Sequence, residues 1–439
     1  MTKNNLSEFR KAVYQNVRYR PAAILDLLDA LTVAGSVSSP VALSESPLFR
    51  RQFSSVYDAL LQGEFQLEQV RELLVACQPA ESETLADYEV YAVDATPNER
   101  MAAETLPDRG VLKSQSNAPV RYGHKYSWLV RLVQSGTSWT APTDVERIGT
   151  PSTDTQVAAE QVQRLARHNP RAKVIVADSR YRDRHFLSIF ADLANTFALV
   201  RLQNNQKLSE APAAKPEGSR GAPRKHGDPF QLSALTRPAE ASEEFRLGKQ
   251  TVRVRAWRQL HFKRFASVVG TVVCVEFLKD DGTPRYKRPI WLFWTGPESV
   301  TLQDLCRMYL WRFAVEHLFR FLKQRLGLNC NRSPDLVSTE KWMWLCALAY
   351  WQLLLMRNLV TANRPAWHPQ RKAGRVRPLT PAQVQRSALA FLVQSGTPAS
   401  NPRAAGKGLG RLNGYRPAPR THFEVVFKTS KRRIQPALC

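Results

Sequence analysis

Between residues 88 and 203 the chain alternates short apolar runs with stretches of helical period, and this alternation restricts the folds open to it. YEVYAVDAT, KYSWLVRLV and TSWTAPTDV come first and read as strands rich in Val, Tyr and Trp. TDTQVAAEQVQRLARHN then has apolar residues at helical spacing behind a Thr/Asp start, followed by KVIVADSRY as a strand, RDRHFLSIFADLA as a helix and TFALVRLQ as a strand. Three early strands followed by helix–strand–helix–strand predict an α/β fold, a mixed sheet with helices on its faces.

The flanking segments divide by composition. Residues 1–85 read as helical, with PAAILDLLDALTVA, SPLFRRQFSSVYDALLQ and LEQVRELLVACQ each spaced near 3.6. APAAKPEGSRGAPRKHGDP, rich in Pro, Gly and cations, reads as a loop. QTVRVRAWRQL, ASVVGTVVCVEFL and RPIWLFWTG then predict a second set of strands, before helices resume. The expected units are 1–85 (helical), 86–202 (mixed strands and helices), 203–296 (strand-rich), 297–362 (helical) and 363–439 (basic).

Charge narrows the partners. Lys and Arg outnumber Asp and Glu by 63 to 38, a net +25, which favours polyanions. After Arg364 the only acidic residue is Glu424, so over half of that excess lies in the last segment, the footprint of a phosphate-binding arm. The longest apolar stretch, Trp342 to Met356, is short for a bilayer span and is flanked by Lys341 and Arg357, so it reads as a buried helix. No apolar signal region opens the chain. Six scattered cysteines without CxxC spacing predict reduced thiols and a cytoplasmic setting. Neither a P-loop nor a GxGxxG run supports nucleotide triphosphate chemistry.

YLWRFAVEHLFRFLK, residues 309–323, carries the chemistry. At about 100° per residue, Tyr309, Arg312, Glu316, Arg320 and Lys323 share a stripe less than about a quarter-turn wide. One reading is a solvated face in which Glu316 pairs with Arg312 and Arg320. The other is a metal-binding carboxylate among phosphate-binding cations, which requires further carboxylates. Asp94 and Asp178 supply them. Each ends an apolar run, VYAVD and KVIVAD, where loop-forming residues follow, at the rim where sheets collect ligands. An Asx turn would also explain either one alone. Three converging carboxylates repel one another, and a hard divalent cation, Mg²⁺ or Mn²⁺, removes that conflict. Two such ions about 4 Å apart activate a nucleophile and stabilise a leaving oxygen in phosphodiester chemistry.

Tyr309, Arg312, Glu316 and Lys323 stand with two, three and six residues between them. With that spacing, and the two strand-borne aspartates upstream, the chain resembles insertion-sequence transposases of the DDE class that carry the Tyr-Arg-Glu-Lys signature. The resemblance covers roughly residues 86–362. It implies a ribonuclease H-like core interrupted by a β-rich insertion, with Asp94, Asp178 and Glu316 holding two Mg²⁺ or Mn²⁺ ions. Tyr309, Arg312 and Lys323, with Arg320 beside them, would bind DNA phosphates. The implied reaction is hydrolysis at the element's ends followed by joining of the 3′-hydroxyls to target DNA, in a homodimeric paired-end complex at the bacterial nucleoid.

Some transposases of this group stack a flipped base on a Trp, for which Trp291 and Trp294 are the candidates and Trp257 a third. The group often has a Gly followed by an aromatic after the second Asp. Here the run is Asp178-Ser179-Arg180-Tyr181, with Asp183 the fallback carboxylate there and Asp87 a poor substitute for Asp94. His124, His185 and His317 are candidate general bases that metal chemistry does not require. Two alternatives share these residues: a structure-selective metal-dependent endonuclease, and a non-catalytic DNA-binding repressor.

Overall fold

The computed structural model describes residues 3–112, 119–213, 222, 224–235, 237–361, 367, 378–403, 413–416 and 418–427. Helices α1 (Lys3–Gln15), α2 (Pro21–Val33), α3 (Ser54–Gln62) and α4 (Leu67–Ala76) come first. Proline at the first turn of α2 costs no hydrogen bond, and nearly every residue of that helix is buried. Of SPLFRRQFSSVYDALLQ only the part from Ser54 is helical.

Four strands follow: β1 (Glu89–Glu99), β2 (Gly110–Leu112), β3 (Arg121–Leu132) and β4 (Thr140–Arg147). Helix α5 (Asp154–His168) starts with a capping box in which Thr153 and Gln156 bond each other's backbone N–H. Then come β5 (Lys173–Ala177), the single turn α6 (Arg184–Leu187) and β6 (Thr196–Leu202). RDRHFLSIFADLA, read as one helix, is only this turn and a 3₁₀ segment, Ser188–Ala191.

Strand β3 runs antiparallel to β1, while β5 and β6 run parallel to it, giving the order β4–β3–β1–β5–β6. That order is consistent with the ribonuclease H-like core that the resemblance implies. Segment 203–296 adds β7 (Lys207–Glu210), β8 (Pro229–Gln231), β9 (Ala241–Leu247), β10 (Gln250–Phe262), β11 (Phe265–Leu278) and β12 (Ile290–Trp294). These strands continue the same sheet, because β12 pairs antiparallel with β6 and leads on through β11, β10, β7 and β8. The backbone groups on the free edge of β6 are thereby satisfied by chain from nearly a hundred residues later.

The last helices are α7 (Leu302–Trp311), α8 (Ala314–Gln324), α9 (Leu336–Met356) and α10 (Pro381–Ser395). One core lies between the sheet and α1, α2, α3, α7, α8, α9 and α10; the other lies under α5 and α6. Helix α9 contains the Trp342–Met356 run and is buried almost throughout. Among the described residues no helix is long and apolar enough to cross a membrane.

Of segment 363–439, read as a basic arm, somewhat under half falls outside the described residues, Cys439 included. Two of its described parts, α10 and the stretch around Val426, are folded onto the body. Helix α10 buries Val384, Ala388 and Leu392, and Val426 bridges to Gly110 on the edge of β2. The described cysteines, Cys77, Cys274, Cys306, Cys330 and Cys346, are free thiols.

Candidate active site

Parallel pairing aligns Val93 with Ala177, so the next residues, Asp94 and Asp178, stand at one level on adjacent strands, facing α8. Neighbouring strands lie about 4.8 Å apart. Asp178 leaves the end of β5 and accepts the Arg180 N–H at 2.8 Å, the Asx-type cap. Asp94 does not end its strand: β1 continues to Glu99, and β3 pairs with it from Tyr91 to Glu99. The rim at Asp94 exists because β5 stops while β1 runs on.

The stretch 309–323 is not one helix. α7 stops at Trp311 and α8 starts at Ala314. Across the joint, Arg312 N–H bonds Tyr309 O at 3.1 Å and Glu316 N–H bonds Phe313 O at 3.1 Å, three-residue steps that tighten the turn. This joint turns Arg312 inward. Its Nη1 lies 3.1 Å from Asp94 Oδ2 and its Nη2 lies 4.0 Å from Glu316 Oε1. Glu316 is otherwise open, its side chain 48% exposed, against 20% for Asp94. Beyond α8, Gly327 takes a positive φ of 61°, where a Cβ would meet Val37 O at 2.6 Å.

The electrostatics describe one cluster. Burial pushes the Asp94 carboxyl above its ordinary value; Arg312 opposes this and the Asp178 charge adds to it. Burial raises the Tyr309 hydroxyl, against the guanidiniums of Arg312 and Arg201. Burial lowers the Lys323 ammonium, while Glu99 and Asp94 draw it back. Thus Arg312 is linked to both Asp94 and Tyr309, and Lys323 feels the Asp94 charge, whereas Arg320 is exposed on α8. Sequence reasoning missed Arg201, although it is the only charged residue in TFALVRL. It also missed Asp154, which pairs with Lys125 and, at 3.0 Å, with Arg180 on the opposite face of the sheet.

The remaining candidates have structural surroundings. Asp183 caps α6 by accepting the Phe186 N–H at 3.1 Å, and Asp87 lies in a turn with a positive φ of 64°. His124 is buried with Nε2 at 2.9 Å from Pro107 O, His317 packs edge-on against Phe313, and His185 is exposed on α6. Trp291 and Trp294 are 3% and 1% exposed, and Trp257 is 1% exposed. Trp257 packs on Trp291, and Trp294 on Tyr88 and Phe197. None of the three offers a ring face to a base.

The chain matches the family of DDE superfamily endonucleases over residues 12–264, more than half its length. It belongs to that family. The match spans both Asp94 and Asp178 and ends before Glu316. No curated protein matches the chain. As a DDE superfamily endonuclease the protein is an enzyme of the nuclease and transposase kind, and enzymes of this superfamily generally use divalent metals such as Mg²⁺.

The DDE endonuclease's own residues fit such a cation in donor chemistry. Asp94 and Asp178 are oxygen donors held level on a rigid sheet, and their mutual repulsion is what a hard cation relieves. Among the described residues, however, no three His, Cys, Asp or Glu side chains are gathered into a metal-binding group. The guanidinium of Arg312 lies against both Asp94 and Glu316, at 3.1 Å and 4.0 Å.

Proposed function

We propose that this DDE endonuclease is an insertion-sequence transposase. It would bind the terminal inverted repeats of its element, cut there by phosphodiester hydrolysis and join the 3′-OH ends to target DNA. The observation that carries the reading is the meeting of Arg312 with Asp94 and Glu316 beside Asp178, which brings the Tyr-Arg-Glu-Lys segment onto the two strand-borne aspartates. In this reading 1–85 and 363–439 contact DNA, 86–202 and 297–362 form the catalytic core, and 203–296 is its β-rich insertion. The partners are double-stranded DNA and a second copy of the chain.

In this reading Asp94, Asp178 and Glu316 hold two Mg²⁺ or Mn²⁺ ions, which supply Lewis acidity and a more acidic water when bound. The protein's side chains do the placing. Tyr309, Arg312, Lys323 and Arg320 bind the phosphates around the cut, Arg312 as a planar fork suited to two oxygens. Lys323, half-buried on α8, supplies a point charge beside the developing negative charge. In the first step a water oxygen bonds to the scissile phosphorus and the bond to the 3′ oxygen breaks. That oxygen takes up a proton, leaving a 3′-hydroxyl and a 5′-phosphate. In the second step the 3′-hydroxyl oxygen bonds to a target phosphorus and displaces the target's own 3′ oxygen. One phosphodiester is exchanged for another, and the proton passes to the displaced oxygen.

The test uses duplex element ends with Mg²⁺. Glu316→Gln is expected to lower cleavage by at least about a thousand-fold with the fold intact, since that side chain is half exposed. Cleavage at the wild-type rate by Glu316→Gln would remove Glu316 from the active site. Pre-cut ends offered with a target plasmid separate transposase from nuclease: a transposase joins them and a nuclease does not.

A further inference from the structure

A cavity of about 630 Å³ opens beside Asp178, with Ser179, Arg201, Asn204, Asn205, Ser233 and Arg288 on its walls. The volume lies inside the roughly 300–1,000 Å³ span of small-ligand clefts, and apart from Leu202 the lining residues bring amide, hydroxyl and guanidinium groups. A site for phosphate alone needs donors only. Asparagine amides bring donors and acceptors together, the pairing that a base edge presents.

The tip that carries these amides is held in place. Residues 203–206 form the turn between β6 and β7, closed by Gln206 N–H on Gln203 O at 2.9 Å. Arg182 straddles it, with Nη2 on Gln203 Oε1 at 2.7 Å and Nε on Gln206 Oε1 at 3.0 Å. Leu232 N–H closes onto Gln206 O from the next segment at 3.2 Å. The Oε1 atoms of the two glutamines thus fix the turn, and Asn204 and Asn205 stand at its tip. A pinned turn loses little conformational freedom on binding.

Position supplies the rest. Ser179 follows Asp178 directly, so the cavity starts where the active-site carboxylate ends. Arg201 serves both places, being close enough to Tyr309 to act on its hydroxyl. Arg288 reaches in from the connection between β11 and β12, which the antiparallel pairing of Trp291 with Leu202 sets at the same rim.

We propose that this cavity takes the nucleotide next to the phosphate that is cut and reads its base. Asn204 and Asn205 face the base edge, while Arg201 and Arg288 hold the flanking phosphates. The assignment rests on the DNA-cleaving function proposed above. Because asparagine pairs in bidentate fashion with adenine N6 and N7, the base selected is adenine. Arg182 is a positioning residue that acts through Gln203 and Gln206.

The experiment selects bound molecules from a random-sequence duplex library with full-length protein bearing Asp178→Asn, so that binding is read without cleavage. Adenine is expected to be enriched at one position, by roughly five- to a hundred-fold. Adding Asn204→Ala and Asn205→Ala should erase that enrichment and leave the other positions as they were. Arg182→Ala should broaden it only in part. Asn204→Asp with Asn205→Asp, near-isosteric but acceptor-only, should shift the choice toward cytosine, whose N4 donates. Unchanged adenine selection by either double variant, with its thermal melt intact, would overturn the proposal. Failure of the active-site reading looks different: Asp178→Asn protein would still cut DNA.

Discussion

Arg312 Nη1 lies 3.1 Å from Asp94 Oδ2, although 218 residues separate them in the chain. The guanidinium thereby opposes the upward pull of burial on the Asp94 carboxyl, and its other arm faces Glu316 at 4.0 Å. Arg312→Ala should raise the Asp94 pKa further and cost about 1–3 kcal/mol at neutral pH, the penalty of an unpaired buried acceptor. The sign follows from the raised pKa: the cost exists while Asp94 is ionised and fades as pH falls through its folded-state value. Denaturant midpoints at pH 7 and in acid check this, and Arg312→Lys should recover part of the loss.

Asp178 and Asp94 repel each other across adjacent strands. Asp178→Asn is therefore expected to stabilise the metal-free protein, by under about 1 kcal/mol, while abolishing cleavage. Added Mg²⁺ should raise the wild-type melting temperature more than that of the variant. Equal rises would mean that Asp178 holds no cation.

His124 is 2% exposed on β3, and burial pushes its imidazole down to about 4 from an ordinary 6.5. The unfolded chain takes up this proton first, so stability is complete above about 6.5 and is lost as pH falls toward about 4, by up to roughly 3 kcal/mol. Denaturation at pH 7.5 and pH 5 should show this loss. His124→Gln, which keeps a donor for Pro107 O, should flatten the slope. An unchanged slope in that variant would assign the acid sensitivity elsewhere.

Trp294 is buried at the joint between the core strands and the added ones, with its indole N–H on Pro297 O at 3.0 Å. Trp294→Ala should cost about 3–5 kcal/mol of stability, and Trp291→Ala a similar amount. Tyr286→Ala, at a side chain 56% exposed, should stay within about 0.5 kcal/mol. Chemical denaturation of the three variants measures this. A Trp→Ala variant that lost DNA binding at wild-type stability would return that ring to the DNA surface.

Residues after Phe427 include Lys428, Lys431, Arg432 and Arg433, whereas 418–427 lie along Glu104 to Leu112 through Phe423 and Val426. Truncation after Phe427 therefore spares this packing. The slope of log affinity against log salt on duplex DNA should become less steep by between about 1 and 4, at roughly 0.9 for each phosphate no longer neutralised. An unaltered slope would mean that these cations touch no phosphate.

Much of this protein could be read along the chain. Apolar runs of strand length predicted β1, β3, β4, β5, β6, β10, β11 and β12, because strand formation follows local pattern. The residue types at 94, 178, 309, 312, 316 and 323, with their spacing, pointed to phosphodiester chemistry because charge and donor type belong to the residue itself. What folding decided was relational. A helix wheel drawn through 309–323 could not foresee the tightened joint at Arg312, which arises where α7 and α8 dock on the sheet. The aromatic run PIWLFWTG gave no sign that β12 would pair with β6 and bury both tryptophans, since strand partnership depends on backbone edges brought together from far apart. Nor could composition reveal that Arg312 stands between Asp94 and Glu316. Which charges neighbour which is fixed only when strands in register and a packed helix set the distances between them.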